Sequence, residues 1–508
     1  MNLEVKAISE SVCCDFLLIT PLRILPTPLV PTLGPLCLYS YAKKNGFTGE
    51  LINFNEIINE NNIGNHSEVV EKTLSVWFEK HSEVLCVGIS VLFSGVFSRV
   101  LEIATISKKI RSDVKIIVGG IHPTLHAWDI LEQCPQIDYV VMGEGEIQFV
   151  GILKYLSGKD GVVESMINGI GYRKGKQFFI NKKTEYTNRD NIHDLGCIDY
   201  SLIDFKRYHT SDMELWYNPK KHKIISAAPI VTSRSCPFRC NFCSIHAVHG
   251  PNNTFRYRSS DDVVEELKYL YYEKEIRYFY IVDDCATGNK NNTMELYSKI
   301  VKSGMNISIE FQNGVNISSL DDEIIDVLSA AGMVRGGLAI ESGSELIRNQ
   351  IIGKKLSYKK ILSVYRHFRN NHKHIWLLGF FIIGLPEETY ETLDETIKLV
   401  EELDEIYPIF NVAVPTPGTR LWEQCVRDDL LLFDNSNVWK KSFIFGVGNR
   451  TQKEELNYWT MHGLDSILDI FVIKPYKLDF VTLSRYYERL QKLRNERLQK
   501  IKSMLCEI

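Results

Sequence analysis

The 508-residue sequence predicts an α/β protein, with two domains built on parallel sheets and a helical region after them. Three observations carry this. Short apolar runs alternate with helical spacing five times in the first 150 residues. The alternation resumes six times between about 223 and 425, and only helical spacing remains beyond about 425. In the first series Phe16–Thr20, Glu50–Asn53, Val84–Ser90, Lys115–Gly119 and Tyr139–Met142 read as buried strands, with helices near 33–45, 66–80, 96–111 and 124–133. Parallel strands need helical crossovers, so helices should cover both faces of such a sheet. Ligands in these sheets sit beyond the C-terminal strand ends, which singles out the loops after Ser90, Gly119 and Met142.

Residues 151–222 weaken to short strands, Ile167–Tyr172 and Phe178–Ile180, and polar turns, and read as a connector between a first domain over 1–150 and a second over 223–425. The second series starts near Ile224, with strands expected at Ile230–Thr232, Arg277–Val282, Ser308–Asn313, Val334–Ile340, Ile375–Ile383 and Ile409–Val414. A helix over 261–274 is entered through Ser259 and Ser260, with Asp261 and Asp262 in its first turn, where the helix dipole favours negative charge. Six strand–helix units predict a partial barrel. Residues 426–508 read as helical, ending in Ser484–Leu505, whose apolar stripe of Leu490, Leu493, Leu498, Ile501 and Leu505 reads as the inner face of a surface helix.

Composition bounds the function. The 59 Lys and Arg against 63 Asp and Glu leave a formal charge of −4, too small a bias to argue for a nucleic-acid partner. At 44% hydrophobic and 24% charged the chain is neither disordered nor fibrous. MNLEVKAISESVCC lacks the basic-then-apolar pattern of a secretory signal, and no apolar run reaches membrane-spanning length, so no membrane partner and a cytoplasmic location are expected. Twelve cysteines are too sparse for a disulfide scaffold, and only Cys236, Cys240 and Cys243 cluster.

That cluster, Cys236-Pro-Phe-Arg-Cys240-Asn-Phe-Cys243, follows an expected strand, at what would be the C-terminal mouth of the barrel, where catalytic groups collect. Three thiolates on one loop can face a single soft metal centre, either zinc or an iron–sulfur cluster. Structural zinc takes four ligands, and no second Cys/His pair lies at the usual spacing, though nearby His246 and His249 keep zinc open. Three cysteines on a four-iron cluster leave one iron for a substrate or cofactor.

The CxxxCxxC spacing, with Phe242 before the last cysteine, resembles the signature of the radical S-adenosylmethionine (SAM) enzymes. The resemblance implies a [4Fe-4S] cluster on Cys236, Cys240 and Cys243, SAM chelating the open iron, and one-electron cleavage of SAM to methionine and a 5′-deoxyadenosyl radical. It also implies an external one-electron reductant, flavodoxin- or ferredoxin-like. Phe242, Asp283 and Asp284 after the second strand, Glu341-Ser342-Gly343 after the fourth, and Gly384 and Pro386 after the fifth resemble the SAM-contacting strand ends, and Pro415-Thr-Pro417-Gly418-Thr419 resembles the sixth-strand turn. Cys285 departs from the bulky residue expected after Asp284; it reads as a small buried side chain, with hydrogen donation to a radical as a lesser reading.

The first domain resembles the flavodoxin-like (Rossmann-type) cobalamin-binding domain that precedes the barrel in one subclass of these enzymes. Pro31-Thr-Leu-Gly34 resembles its opening turn, Ser90 with Phe93 and Ser94 its third-strand loop, Gly119-Gly120-Ile121-His122-Pro123-Thr124 its fourth, and Gly143-Glu144-Gly145-Glu146 its fifth. No Asp-x-His-x-x-Gly occurs, so cobalamin without a protein histidine on cobalt is expected, and His122 belongs to the loop. The resemblance covers roughly residues 15–425 and implies a cobalamin-dependent methyltransferase acting on an unactivated carbon of a small molecule or peptide. Two alternatives stand beside it: a radical SAM cyclase, rearrangement or oxidation enzyme without methyl transfer, and, more distantly, a non-catalytic metal or electron-transfer module. Substrate choice is expected in the last eighty or so residues.

Overall fold

The apolar run Phe16–Thr20 is buried along its whole length and forms the second strand of a sheet whose order sets the topology of the first unit. The structure is a computed structural model and describes residues 14–22, 31–58, 66–92, 94–185, 198–208, 226–250, 255–431 and 473–506. In chain order the first unit holds β1 (Phe16–Thr20), β2 (Gly49–Asn53), β3 (Cys86–Ser90), β4 (Lys115–Gly119) and β5 (Tyr139–Val141), paired in parallel in the order β2-β1-β3-β4-β5. This is the flavodoxin-like order, and strand order reverses between β1 and β3, which is where such sheets bind ligands. Helices Leu33–Lys44, His66–Lys80, Phe97–Ile110 and Ala127–Gln133 fall where the spacing puts them. Phe16 anchors the core, edge-on to Phe149 at 5.2 Å and to Tyr39 at 6.4 Å.

The sheet runs past the expected boundary at 150. Helix Glu146–Leu156 is followed by β6 (Ile170–Lys174) and β7 (Gln177–Ile180), an antiparallel hairpin whose first strand pairs with β5, Tyr139 opposite Tyr172. The stretch read as the start of a connector therefore completes the first sheet. A buried bond from the Tyr139 hydroxyl to Glu164, 2.7 Å, ties β5 to the turn before β6.

In the second unit β8 (Ala227–Ile230) begins a six-stranded sheet; β9 (Ser233–Arg234) and β10 (Arg256–Tyr257) form a separate antiparallel pair. The sheet continues through β11 (Tyr278–Ile281), β12 (Ser308–Val315), β13 (Met333–Glu341), β14 (Trp376–Ile383) and β15 (Tyr407–Val412), all parallel and in sequential order. Helices Ser260–Tyr272, Lys290–Lys302, Asp322–Ala330, Tyr358–Asn371 and Tyr390–Glu402 make the crossovers. This is the expected partial barrel. Its first strand ends at Ile230 rather than Thr232, because the Thr232 N–H is donated to the Asp283 carboxylate, 2.7 Å, and leaves the ladder. The Ser259 hydroxyl accepts the Asp262 N–H as the helix cap that the sequence predicts.

The last helix, Phe480–Cys506, starts four residues before the expected Ser484. Leu483, Tyr487 and Leu490 are buried, and Arg494 donates to the Tyr407 hydroxyl at 2.7 Å. It covers edge strand β15, whose unpaired backbone would otherwise be a template for other strands. Side chains of Leu498, Ile501 and Leu505 lie outside the described residues, as do Ile224, Phe93 and residues 432–472. Among the described residues no helix is long and apolar enough to cross a membrane.

Candidate cluster and cofactor sites

The cysteine loop leaves β9 and is fixed from three strand ends. At the end of β11, Asp283 is buried and accepts from the Thr232 N–H (2.7 Å) and hydroxyl (2.5 Å) and from the Ser233 hydroxyl (2.6 Å). Its neighbour Asp284 accepts the N–H of Ser235, a fully buried residue held at φ 72°. Beyond β13, the Ile352 carbonyl accepts the Asn241 N–H at 2.9 Å. Beyond β15, the Leu421 N–H bonds the Asn241 carbonyl, and Arg420 donates to the Arg239 carbonyl at 2.6 Å. Gly418, at φ 80°, abuts helix Ile245–His249, which follows the last cysteine; a Cβ there would stand 2.9 Å from that of Ala247. Cys240 and Phe242 pack on an apolar cluster of Ile347, Ile352, Leu385 and Leu421. Nε2 of His246 lies 2.7 Å from the Phe238 carbonyl, and its Nδ1 is buried with no hydrogen-bond partner among the described residues.

All three cysteines are free thiols, partly shielded from solvent. Burial pushes Cys243 up to about 12 and raises Cys240 as well, with Cys236 adding to both shifts and Cys240 to that of Cys243. Cys236 is lowered, mainly by a hydrogen bond from the Cys285 thiol, which in turn keeps its proton. Cys285 thus faces a cluster cysteine, a contact its sequence position did not suggest. Three crowded thiols in a dry setting favour their thiolate form only when a cation supplies the countercharge, which is what an iron–sulfur cluster does.

Glu341 ends β13 at φ 69°, in the left-handed region, just past a register shift against β14. Such strain in a residue other than glycine costs about 1–3 kcal/mol and collects at functional sites. Its carboxylate is buried and ion-paired to buried Lys354, whose charge adds to the lowering of Cys236 and opposes the burial-driven rise of Cys240. Sequence reading missed Lys354; a lone lysine after Gly353 carries no spacing signal. The neighbouring residues serve as scaffold. Ser342 and the Gly343 N–H bond the Thr396 hydroxyl at 3.2 and 3.0 Å, and a Cβ on Gly343 would lie 2.3 Å from the Glu395 carbonyl oxygen. Arg348, fully buried in the π-helix Leu346–Ile351, donates to the Ser342 and Leu356 carbonyls. At the end of β14, Gly384 takes φ 85° and donates, with Leu385, to buried Glu388, while the Pro386 carbonyl accepts the Tyr476 N–H. Burial raises Glu388 to about 8, against the pull of those two N–H groups. Glu388 too was missed.

In the first unit the flagged loops meet at the C-terminal end of the sheet. Gly120, at φ 117°, lies so close to Val91 that a Cβ would stand 2.6 Å from its carbonyl oxygen, and the His122 N–H bonds that same oxygen. The Thr124 hydroxyl links the Gly120 carbonyl to the Gly143 N–H at 2.7 and 2.8 Å. Gly120 is thus demanded by loop-to-loop packing. His122 is buried between Phe97 and His126, its Nδ1 2.8 Å from the Ser94 hydroxyl and its Nε2 without a partner. Burial holds it well below the ordinary histidine range, so it is a neutral core residue. Ser90, Gly119, Thr124, Gly143, Glu144 and Gly145 form a half-exposed rim, Pro123 and Glu146 lying buried behind it.

Comparison with known proteins agrees with both halves. Residues 230–400 match the radical SAM superfamily model and residues 28–153 the B12 binding domain model. An uncharacterized methyltransferase of Pyrococcus horikoshii is 30% identical over 355 residues, 70% of this chain and 72% of that protein. This chain belongs to the radical SAM superfamily. It is of the branch that carries a B12-binding domain, and its cofactors are a [4Fe-4S] cluster, SAM and cobalamin. The cytidylyl-2-hydroxyethylphosphonate methyltransferase of Streptomyces wedmorensis is 26% identical, covering 72% of this chain and 70% of its own. The anaerobic magnesium-protoporphyrin IX monomethyl ester cyclase of Cereibacter sphaeroides is also 26% identical, over 63% of this chain and 50% of its own. The fold is shared with TsrM, a radical SAM methyltransferase of Kitasatospora setae solved with cobalamin and a [4Fe-4S] cluster: TM-score 0.65, 15% identity, 95% of this chain and 99% of that one.

Two outcomes follow from this geometry. Asp283→Ala strands three buried donors, each costing about 1–3 kcal/mol, so iron per chain after anaerobic reconstitution should fall well below wild type; full iron content with weakened SAM binding would instead make Asp283 a SAM contact. For Glu388, the folded value near 8 lies above the unfolded 4.5, so its stabilising protonation is complete below 4.5 and lost as pH rises through 8. The wild-type unfolding midpoint should therefore drop more than that of Glu388→Gln between about pH 5 and pH 8.5; parallel curves would show that Glu388 does not titrate there.

Proposed function

We propose that this chain transfers a methyl group from SAM, by way of cobalamin, to an unactivated carbon of a small molecule or peptide. The observation that carries the reading is the pairing in one chain of a three-thiol loop at the barrel mouth with a flavodoxin-order domain whose His122, beside the strand-end rim, is neutral and buried. When bound, the cluster with SAM supplies a primary carbon radical able to remove hydrogen from an unactivated C–H bond, and cobalamin supplies a transferable methyl group.

The chain's own residues bind and orient. Cys236, Cys240 and Cys243 hold three irons, and Asp283 fixes the loop that carries them. Phe242 and the Ile347–Leu421 cluster keep one side of that loop dry, which protects a radical from stray hydrogen donors. Asp284, one-third exposed, and Glu341 are the carboxylates for the ammonium or ribose of SAM; Ser342, Gly343, Gly384 and Pro386 shape the surrounding turns. The rim of Ser90, Gly119, Gly120, Thr124, Gly143, Glu144 and Gly145 faces cobalamin, with His122, Pro123 and Glu146 supporting it. His122, buried between Phe97 and His126, would not be offered to cobalt as a ligand. The electron comes from a flavodoxin- or ferredoxin-like reductant, and the protein works in the cytoplasm.

A second reading, ring formation without methyl transfer, is favoured by the likeness to the magnesium-protoporphyrin cyclase. The test is anaerobic reconstitution with SAM and reductant, followed by mass spectrometry. Methyl transfer predicts both 5′-deoxyadenosine and S-adenosylhomocysteine, the latter only when cobalamin is present. 5′-Deoxyadenosine alone would support the second reading, and neither product would refute both.

A further inference from the structure

Away from the cysteine loop, at the end of the barrel where the strands begin, two histidines converge on one carboxylate. Nε2 of His367 and Nε2 of His372 each lie 2.7 Å from the same oxygen, Oδ1 of Asp326. Asp326 sits on helix Asp322–Ala330, His367 on the last turn of helix Tyr358–Asn371, and His372 caps that helix. The ligand atoms of all three lie within 4.8 Å of one another. Both imidazoles are largely shielded, while Asp326 is open to solvent.

We propose that Asp326, His367 and His372 form a binding site for a divalent cation of the zinc class, tying two barrel helices together. Two imidazoles and a carboxylate are a zinc donor set, and water completes the coordination at an exposed site. The surroundings prepare it. Nδ1 of His367 lies 3.3 Å from Oδ1 of Asp322, a second carboxylate. The Asn371 amide, which donates one hydrogen to the His367 carbonyl at 3.2 Å, also lies 3.3 Å from that nitrogen. A ligating histidine characteristically donates its other N–H to a carboxylate, which turns the bare nitrogen toward the metal. With a cation at Nε2, the Nδ1–H of His367 would face the Asp322 carboxylate. Ligand atoms around tetrahedral zinc stand about 3.3 Å apart, so each of the two 2.7 Å nitrogen–oxygen spacings would open by about 0.6 Å. The two imidazoles also hold the Asp326 carboxyl below its ordinary range, which keeps it charged for a cation. The barrel's chemistry lies at the opposite ends of the strands, so the expected role is structural.

The three thiols of the cysteine loop are zinc donors as well, so the test uses the full chain with its cluster reconstituted and both metals counted in one sample. Equilibrium dialysis against micromolar Zn²⁺ near pH 7.5 should load one zinc per chain beyond the cluster iron. His367→Ala/His372→Ala should weaken that binding at least tenfold with iron content unchanged. Asp326→Asn, a milder change at an exposed position, should weaken it too. Zinc K-edge absorption should report nitrogen and oxygen neighbours without sulfur. Equal zinc binding in wild type and variants, sulfur neighbours, or no zinc uptake at all would overturn the site and leave an imidazole–carboxylate ion pair.

Discussion

The Asp283 carboxylate and the three bonds it accepts hold the rest of the site in place. A buried charge is costly unless hydrogen-bonded, and burial raises Asp283 to about 6 even with the Thr232 and Ser233 donors pulling it down. That cost is accepted at the point where the chain stops being a strand and becomes the cysteine loop. With Thr232 and Ser233 fixed, Ser235 can hold its left-handed turn, and the loop is then met by the Ile352 carbonyl and by Arg420 and Leu421. Each contact comes from the C-terminal end of a different strand or its following turn. The cysteines are therefore positioned by the whole barrel mouth, which suits a centre that must neither shift nor admit water.

Charge is arranged with the same economy. Glu341 and Lys354 form a buried ion pair beside the cysteines, and the lysine's field favours thiolates at Cys236 and Cys240. Cys285 adds a thiol hydrogen bond to Cys236; hydrogen bonds to cluster sulfurs are among the features that set a cluster's reduction potential. In the first unit the tight packing of Gly120 on Val91 and the Thr124 bridge to Gly143 make a rigid rim, and His122 sits behind it as core.

Much of this was legible in the sequence because the signals were local. The cysteine spacing, the strands of the first sheet and the strand-end turns are all short-range patterns. The partners of Asp283 were not legible: Thr232 and Ser233 lie some fifty residues away, and only the β8–β11 pairing brings them together. For the same reason Asp283 read as a cofactor contact, and β8 was placed too late. Gly343 read as part of a binding loop, yet its missing Cβ is needed for helix Tyr390–Glu402 to approach. The hairpin β6–β7 looked like a connector because β7 is largely exposed and lacks a buried strand's apolar run. The last helix, whose apolar stripe reads as the inner face of a surface helix, lays its described residues over the edge of β15.

The central claim is that the cysteine loop carries a four-iron cluster with one iron open to SAM. Electron paramagnetic resonance of the reconstituted, chemically reduced protein, recorded with and without SAM, tests it most directly. The account predicts a reduced [4Fe-4S] signal whose g-values shift when SAM is added. A cluster signal that saturating SAM leaves unchanged, or anaerobically prepared protein with zinc on the cysteines and no cluster signal, would contradict it.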